Sequence, residues 1–520
     1  MISTHLAPPF QYYAPNPVAP PIPTLDEKYK PFPHYNLEVV QWSLIFGVCL
    51  ILGVGMGAND IADSFGTSVG TGILTVTQAF ILATVVEMMG SVASGFSGDG
   101  QQLQVVNTES YEDNPDELVI GQIAMLVGCA TWLMVATFYS MPVSAIHSLL
   151  GATIGFSLVL RGLDGIVWDR VGMVMAVWIL SPIVSAIFTL ITFFLVDVAI
   201  LRAKNPVKRG IFLLPGIYAI VVFSNVFLFL QDGSKVFRID EIPFLYTVAA
   251  SLIIAVLAGF LALFVVGPIM QRKLKSKFTD EQKFVTATLH GWLIRKKRTK
   301  KISVFILKYS EKTEKLPRIA SSLSYTFPIV PRGWLRRAVY WAFPPMRNDD
   351  QKAVRLFSFL QILTACFAGF AHGANDISNC VGPVRDLVHM YNEGYREDNT
   401  KLNITVYILL LTTLAVVMGI WTLGVRVIRT VGKFSKMNPA TGFSVQFGAA
   451  ITALVNNMYN IPESGTHCLV GSIFGLGLVR SGPILEWHTV KYVFVSWILT
   501  IPGSGLISAA VMYLLQAVLG

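Results

Sequence analysis

The tetrapeptide Gly-Ala-Asn-Asp occurs twice, at 57–60 and at 373–376, each time followed by Ile. Both copies end long apolar runs, so Asn59, Asp60, Asn375 and Asp376 fall at membrane depth if those runs cross a bilayer. A carboxylate there costs several kcal/mol unless a cation, a hydrogen-bond donor or a water-filled cavity offsets it. Paired amide and carboxylate oxygens are hard ligands, suited to Na⁺ or to a proton relay. Taken singly, each pair would also cap a helix starting at Ile61 or Ile377. The repetition favours ligation, and capping and ligation can coexist.

A second pattern repeats downstream. Pro142-Val-Ser144-Ala-Ile-His147 recurs as Pro462-Glu463-Ser464-Gly-Thr466-His467. Ser144 and Ser464 are predicted N-caps. A helix N-terminus carries roughly half a positive charge and binds anions without a cationic side chain. Two such starts converging from opposite sides would form a cradle for an anion, with the Thr466 hydroxyl as an added donor. Gly151, Gly155, Gly471 and Gly475 would allow close backbone approach. The plainer alternative is a Pro-marked turn between helices. His147 and His467 lack neighbours at metal-ligand spacing and read as hydrogen-bonded core imidazoles. Glu87 lies inside the apolar run 76–96. It is a functional candidate by the same intramembrane rule, or the partner of a polar neighbour.

These residues need a frame, and composition supplies it. Of 520 residues, 53% are hydrophobic and 14% charged. Soluble domains carry about a quarter charged residues, so a soluble enzyme, a disordered chain and a secreted disulfide scaffold are excluded. The five Cys form no CxxC pair and read as small core residues. There is no P-loop and no HExxH, so neither an ATP-driven pump nor a zinc hydrolase of that type is indicated. Crossing a bilayer takes about 20 apolar helical residues. Twelve candidate spans follow: 42–58, 76–96, 118–140, 143–160, 171–201, 211–230, 244–268, 356–374, 403–425, 441–460, 468–482 and 490–519. Some are short or broken by Gly and Pro, which predicts half-helices or hairpins. Residues 1–41 have no early apolar core, so the first span is read as the targeting signal. The Asn403 sequon sits at the start of a span, a poor place for glycosylation.

Charge sets the sidedness. Segment 269–355 holds 21 of the 40 Lys and Arg against six acidic residues. Such a basic loop marks the cytoplasmic side and is not read as a nucleic-acid surface. Counting outward puts basic 202–210 and 426–440 inside as well. Acidic 97–117 and both termini fall outside. The two copies of each motif then run in opposite directions. The predicted fold is an all-α polytopic membrane protein with two inverted five-span repeats, 42–201 and 356–520. Two linking spans lie within 202–268, and interrupted helices meet at the midplane. Inverted repeats of this kind are a recurring plan of secondary transporters.

The paired motifs, with Gly57-Ala-Asn-Asp-Ile-Ala-Asp-Ser-Phe-Gly-Thr67 and Gly373-Ala-Asn-Asp-Ile-Ser-Asn-Cys-Val-Gly-Pro383, resemble the inorganic phosphate transporter (PiT) family of sodium–phosphate symporters. The resemblance covers about 42–201 and 352–520. It implies alternating-access import of phosphate with Na⁺ as the co-transported ion, at the plasma membrane and with no cofactor. A homodimer is compatible with it. Asn59, Asp60, Asn375 and Asp376 would help bind Na⁺ and phosphate, Ser144, Ser464 and Thr466 would cradle phosphate, and Glu87 would serve transport. Four positions depart from the family pattern. Asp63 stands where Asn is usual, Ile146 where Thr is expected, Glu463 in place of a small apolar residue, and Gln446 in place of a Glu. The expectation is that Asp63 or Glu463 replaces the charge missing at Gln446. Rival readings are proton-coupled uptake through Asp63 and Glu463, and a phosphate sensor or cell-surface receptor that has lost transport.

Overall fold

In the computed structural model the described residues are 38–94, 105–111, 115–231, 241–272, 274, 349–393, 402–435, 437–458, 461, 464–480 and 485–519. The basic loop, apart from its two ends, and residues 1–37 lie outside this set, as does the sidedness argued from them.

The first half contributes α1 (Glu38–Gly70), α2 (Val76–Ser94), α3 (Pro115–Phe138), α4 (Ala145–Arg161) and α5 (Trp168–Val196). Two helices follow, α6 (Pro206–Gln231) and α7 (Phe244–Leu261). The second half holds a short α8 (Gln351–Arg355), α9 (Ser358–Glu393), α10 (Leu402–Thr422), α11 (Gly424–Lys433), α12 (Pro439–Met458), α13 (Gly465–Arg480) and α14 (Trp487–Leu519). The only bridge outside helices among the described residues pairs Val106 with Ile166.

The expected break at the first motif is absent. α1 runs unbroken through Gly57–Asp60 for 33 residues, about 50 Å at 1.5 Å per residue. α9 likewise runs through 373–376. Asn59 and Asp60 therefore do not cap a new helix at Ile61, and Ile377 opens none either. The physical reason on the first side is that Asn59 bonds to a neighbouring segment, which leaves its own backbone helical. Ile61, Ala62 and Phe65 then carry the buried face onward.

Nine described helical spans are long and apolar enough to cross a membrane, and the bent pair Val406–Thr422 and Gly424–Lys433, at 62°, would make a tenth. The remaining two of the twelve expected spans fall on α12 and α13. α13 has 16 residues, about 24 Å, short of a 30 Å hydrocarbon core. α12 carries buried Thr441, Ser444, Gln446 and Thr452, so it packs inside the protein on a polar face.

The internal repeat reappears as reciprocal packing. α1 packs on α10 as α2 packs on α9; α4 packs on α14 as α13 packs on α5; α3 meets α14 as α12 meets α5. Each half thus docks onto the other half's helices. Glycine makes the closest crossings. Gly57 faces the Val416 carbonyl and Gly373 faces the Glu87 carbonyl where a Cβ would stand. Small residues at such points let helix backbones approach closely inside a membrane.

Candidate functional site

The two Pro-x-Ser-x-x-His segments meet. Ser144 is the N-cap of α4 and its hydroxyl oxygen accepts the His147 N–H at 3.4 Å. Ser464 does the same for His467 at 3.4 Å. The Thr466 hydroxyl lies 3.4 Å from the Val143 carbonyl, across the two segments. Behind it the His147 and His467 rings sit 4.8 Å apart, centroid to centroid. Two helix starts, each with positive backbone character, therefore converge inside the protein as the sequence predicts.

The histidines behave differently from each other. His467 pairs through Nδ1 with the Ser464 hydroxyl at 2.7 Å and stacks near Trp497 at 3.9 Å. The His147 ring nitrogens have no hydrogen-bond partner among the described residues, so only one of the two fits the expected bonded core imidazole.

α1 passes both helix starts. Asn59 is buried and heavily engaged. Its Oδ1 accepts the Val143 N–H at 3.0 Å, and its Nδ2 donates to the Met141 carbonyl at 2.9 Å and to Thr137 Oγ1 at 3.2 Å. It holds the segment leading into α4. One turn on, Asp63 Oδ2 accepts the Thr466 hydroxyl at 2.6 Å. The Thr466 hydrogen is therefore directed at Asp63, and its oxygen lone pairs are what remain for a ligand.

Gln446 on α12 reaches the same turn of α1. Its Nε2 donates to the Asp63 carbonyl at 3.1 Å, the Ser64 carbonyl at 2.8 Å and Thr67 Oγ1 at 3.1 Å. Two departures from the family pattern, Asp63 and Gln446, are thus in direct contact. Glu463 lies outside the described residues.

Three more ionisable groups gather on α1, α2 and α9. His372 Nε2 is 3.4 Å from Asp60 Oδ2, and its Nδ1 is 3.5 Å from Glu87 Oε1. All three are buried. Glu87 accepts no hydrogen bond among the described residues, so the imidazole is its nearest compensation. Burying a carboxylate without a strong partner is costly. The sequence reading missed His372. It stands one position before the second Gly-Ala-Asn-Asp, where the first copy has Met56. An ionisable residue inside an apolar span is the signal that finds it. Asn375 and Asp376 lie on the backbone of α9, with side chains outside the described set.

An apolar cavity of about 310 Å³ lies between α2, α6 and α9, lined by residues such as Val86, Met89, Phe229, Phe367 and Phe370. Its walls offer an ion almost nothing to bind.

Comparison with known proteins identifies the family. Residues 56–508 match the model of the phosphate transporter family. The chain belongs to the phosphate transporter family. This family member is similar to sodium-dependent phosphate transporter 1 of Mus musculus, at 28% identity over 91% of this chain and 95% of the relative. It resembles sodium-dependent phosphate transporter 1-A of Danio rerio at 28%, over 93% and 96%, and the human transporter 1 at 27%, over 92% and 96%. A solved structure titled "The sodium-dependent phosphate transporter" aligns with a TM-score of 0.69 at 24% identity, covering 92% of this chain and 99% of that one. That likeness bears on the fold. As a member of a transporter family, the chain is a multi-pass membrane carrier.

Proposed function

We propose that this phosphate transporter family member is a sodium-coupled inorganic phosphate symporter working by alternating access. The observation that carries the reading is the meeting of the α4 and α13 starts, through Thr466 and Val143, beside the carboxylates of α1. The names of its relatives support the choice of ions.

In this reading the free N–H groups at the two helix starts hold phosphate, with Ser144 and Ser464 as hydroxyl contacts. Asp60 and Glu87, with Asn375 and Asp376 from the second copy of the motif, hold Na⁺. Asn59 acts as a positioning residue. Phosphate alone meets the field of Asp60, Asp63 and Glu87 and is repelled. Na⁺ cancels part of that field, and phosphate in turn strengthens Na⁺ binding, because opposite charges attract strongly in a medium of low dielectric. Neither ion binds well alone, and this couples their movement. The reciprocal packing of the halves supplies two bodies to rock about the site.

The same reading places the protein in the plasma membrane, with 269–355 in the cytoplasm and both termini outside. It divides the chain into a tail 1–41, a first repeat 42–201, linking spans 202–268, the basic loop 269–355 and a second repeat 356–520. Proton coupling is the second reading, favoured by one observation: His372 stands between two buried carboxylates.

Radiolabelled phosphate uptake, with Na⁺ or with choline outside and at two pH values, tests both. Uptake that needs Na⁺ and is lost in Asp60→Asn supports the symporter. Uptake indifferent to Na⁺ and rising at acid pH transfers the coupling to protons. No uptake from protein shown to be at the cell surface refutes both.

A further inference from the structure

We infer that Asp63 is a specificity-determining residue, which admits an oxyanion carrying a proton and rejects one that carries none. The inference rests on the reading of the α4 and α13 starts as a phosphate site, and deepens it.

The geometry places a carboxylate on one wall of the cradle. Asp63 Oδ2 is 2.6 Å from Thr466 Oγ1, and a Cβ added at Gly465 would stand 3.8 Å from the same oxygen. The carboxylate thus lies over the first turn of α13. It is half-buried, whereas Gln446 is buried behind it and grips the Asp63 and Ser64 carbonyls. The residue is fixed from its backbone side, and its carboxylate faces the helix start. The first half has no equivalent wall, because Ile146 occupies the position of Thr466.

A helix start attracts any tetrahedral oxyanion. What distinguishes phosphate from sulfate is protonation. Phosphate keeps a proton at neutral pH and can donate an O–H; sulfate is fully ionised and presents only lone pairs. Asp63 offers lone pairs too. Thr466 has directed its hydrogen at Asp63, so its oxygen is also an acceptor. Against this wall a phosphate O–H forms a hydrogen bond, while a sulfate oxygen meets a negative charge with no proton between them. A site built to receive a hydroxyl rejects the analogue that lacks it far more strongly than shape alone could, and the repulsion is itself the discriminating element.

The test is Na⁺-driven uptake of labelled phosphate by the full chain, with sulfate and arsenate as competitors and surface protein quantified. Arsenate keeps protons as phosphate does. In wild type, arsenate competes and sulfate does not. Asp63→Asn lowers the ratio of the sulfate Ki to the phosphate KM about ten-fold or more, and Asp63→Glu keeps the wild-type ratio. Thr466→Val leaves the carboxylate in place and keeps sulfate excluded, a second readout should Asp63→Asn fail to reach the surface. A ratio unmoved by Asp63→Asn overturns the inference. So does a parallel fall in the phosphate KM and sulfate Ki, which would make Asp63 a simple negative plug. Sulfate competition in Thr466→Val equal to that in Asp63→Asn also overturns it. A wild type that reaches the surface and takes up no phosphate refutes the phosphate reading itself, and the inference with it.

Discussion

The side-chain oxygen of Asn59 accepts the backbone N–H of Val143 at 3.0 Å, so the first Gly-Ala-Asn-Asp motif holds the segment that starts α4. With both amide contacts added, Asn59 ties α1 to three points between Thr137 and Val143. The first role of the motif is therefore to shape the start of α4.

Asn59→Ala should therefore act through α4. It leaves the Val143 N–H buried without a partner, at a cost of about 1–3 kcal/mol. The expected outcome is a raised phosphate KM in uptake assays on protein that still reaches the surface. An unchanged KM would separate Asn59 from the cradle.

Gln446→Glu installs the residue expected there from the family resemblance, yet it should harm this chain. The Gln446 amide donates to two carbonyls and a hydroxyl at a buried position. A carboxylate there would face those carbonyls as a second acceptor, beside the charge on Asp63. Breaking a buried polar contact in this way costs several kcal/mol. We expect less surface protein and lower uptake, and the double variant Gln446→Glu with Asp63→Asn should recover much of both. Equal behaviour of single and double variants would argue against charge exchange between these positions.

His372→Phe should separate the two coupling readings. Removing the imidazole takes away the group that lies within 3.5 Å of both Asp60 and Glu87. If His372 only steadies the Na⁺ ligands, uptake falls and the Na⁺ concentration for half-maximal rate rises, with no change in the shape of the pH profile. A pH profile that flattens in the variant would place a proton on this group during transport.

Gly57→Val and Gly373→Val test the crossings. Each new side chain meets a backbone carbonyl, of Val416 or of Glu87, and overpacking of this kind costs about 1–3 kcal/mol or more. Both variants should melt at lower temperature in detergent. Gly72→Ala, where no atom lies within 4 Å of an added Cβ, isolates the cost of the φ of +74° alone and should destabilise less.

Much of the site was legible because duplication marks it. Asp60 and Ser144 announce themselves by recurring as Asp376 and Ser464 at nearly matched spacing. The N-caps were legible for a local reason, since Pro-x-Ser before an apolar run has few other uses. His372 was not, because it is unique to one copy and repetition could not flag it. The continuity of α1 was also hidden. Gly-Ala-Asn-Asp looks like a helix end locally, and only the bonds from Asn59 to Met141 and Val143, far along the chain, explain why it is not. The contact of Gln446 with Asp63 is of the same kind: sequence lists both departures, and tertiary packing alone makes them neighbours.

The reciprocal packing also has a temporal side. α4 lies against α14 and α1 against α10, so the first half enters the membrane with its partner helices still unmade. Until the ribosome has delivered α14, the Gly151 and Gly155 surface lacks the backbone it packs against. Quality control therefore meets a half-built carrier for most of its synthesis. A stop codon that removes only α14 should be as damaging as the loss of a motif, because it leaves α3 and α4 without the surface they fold against.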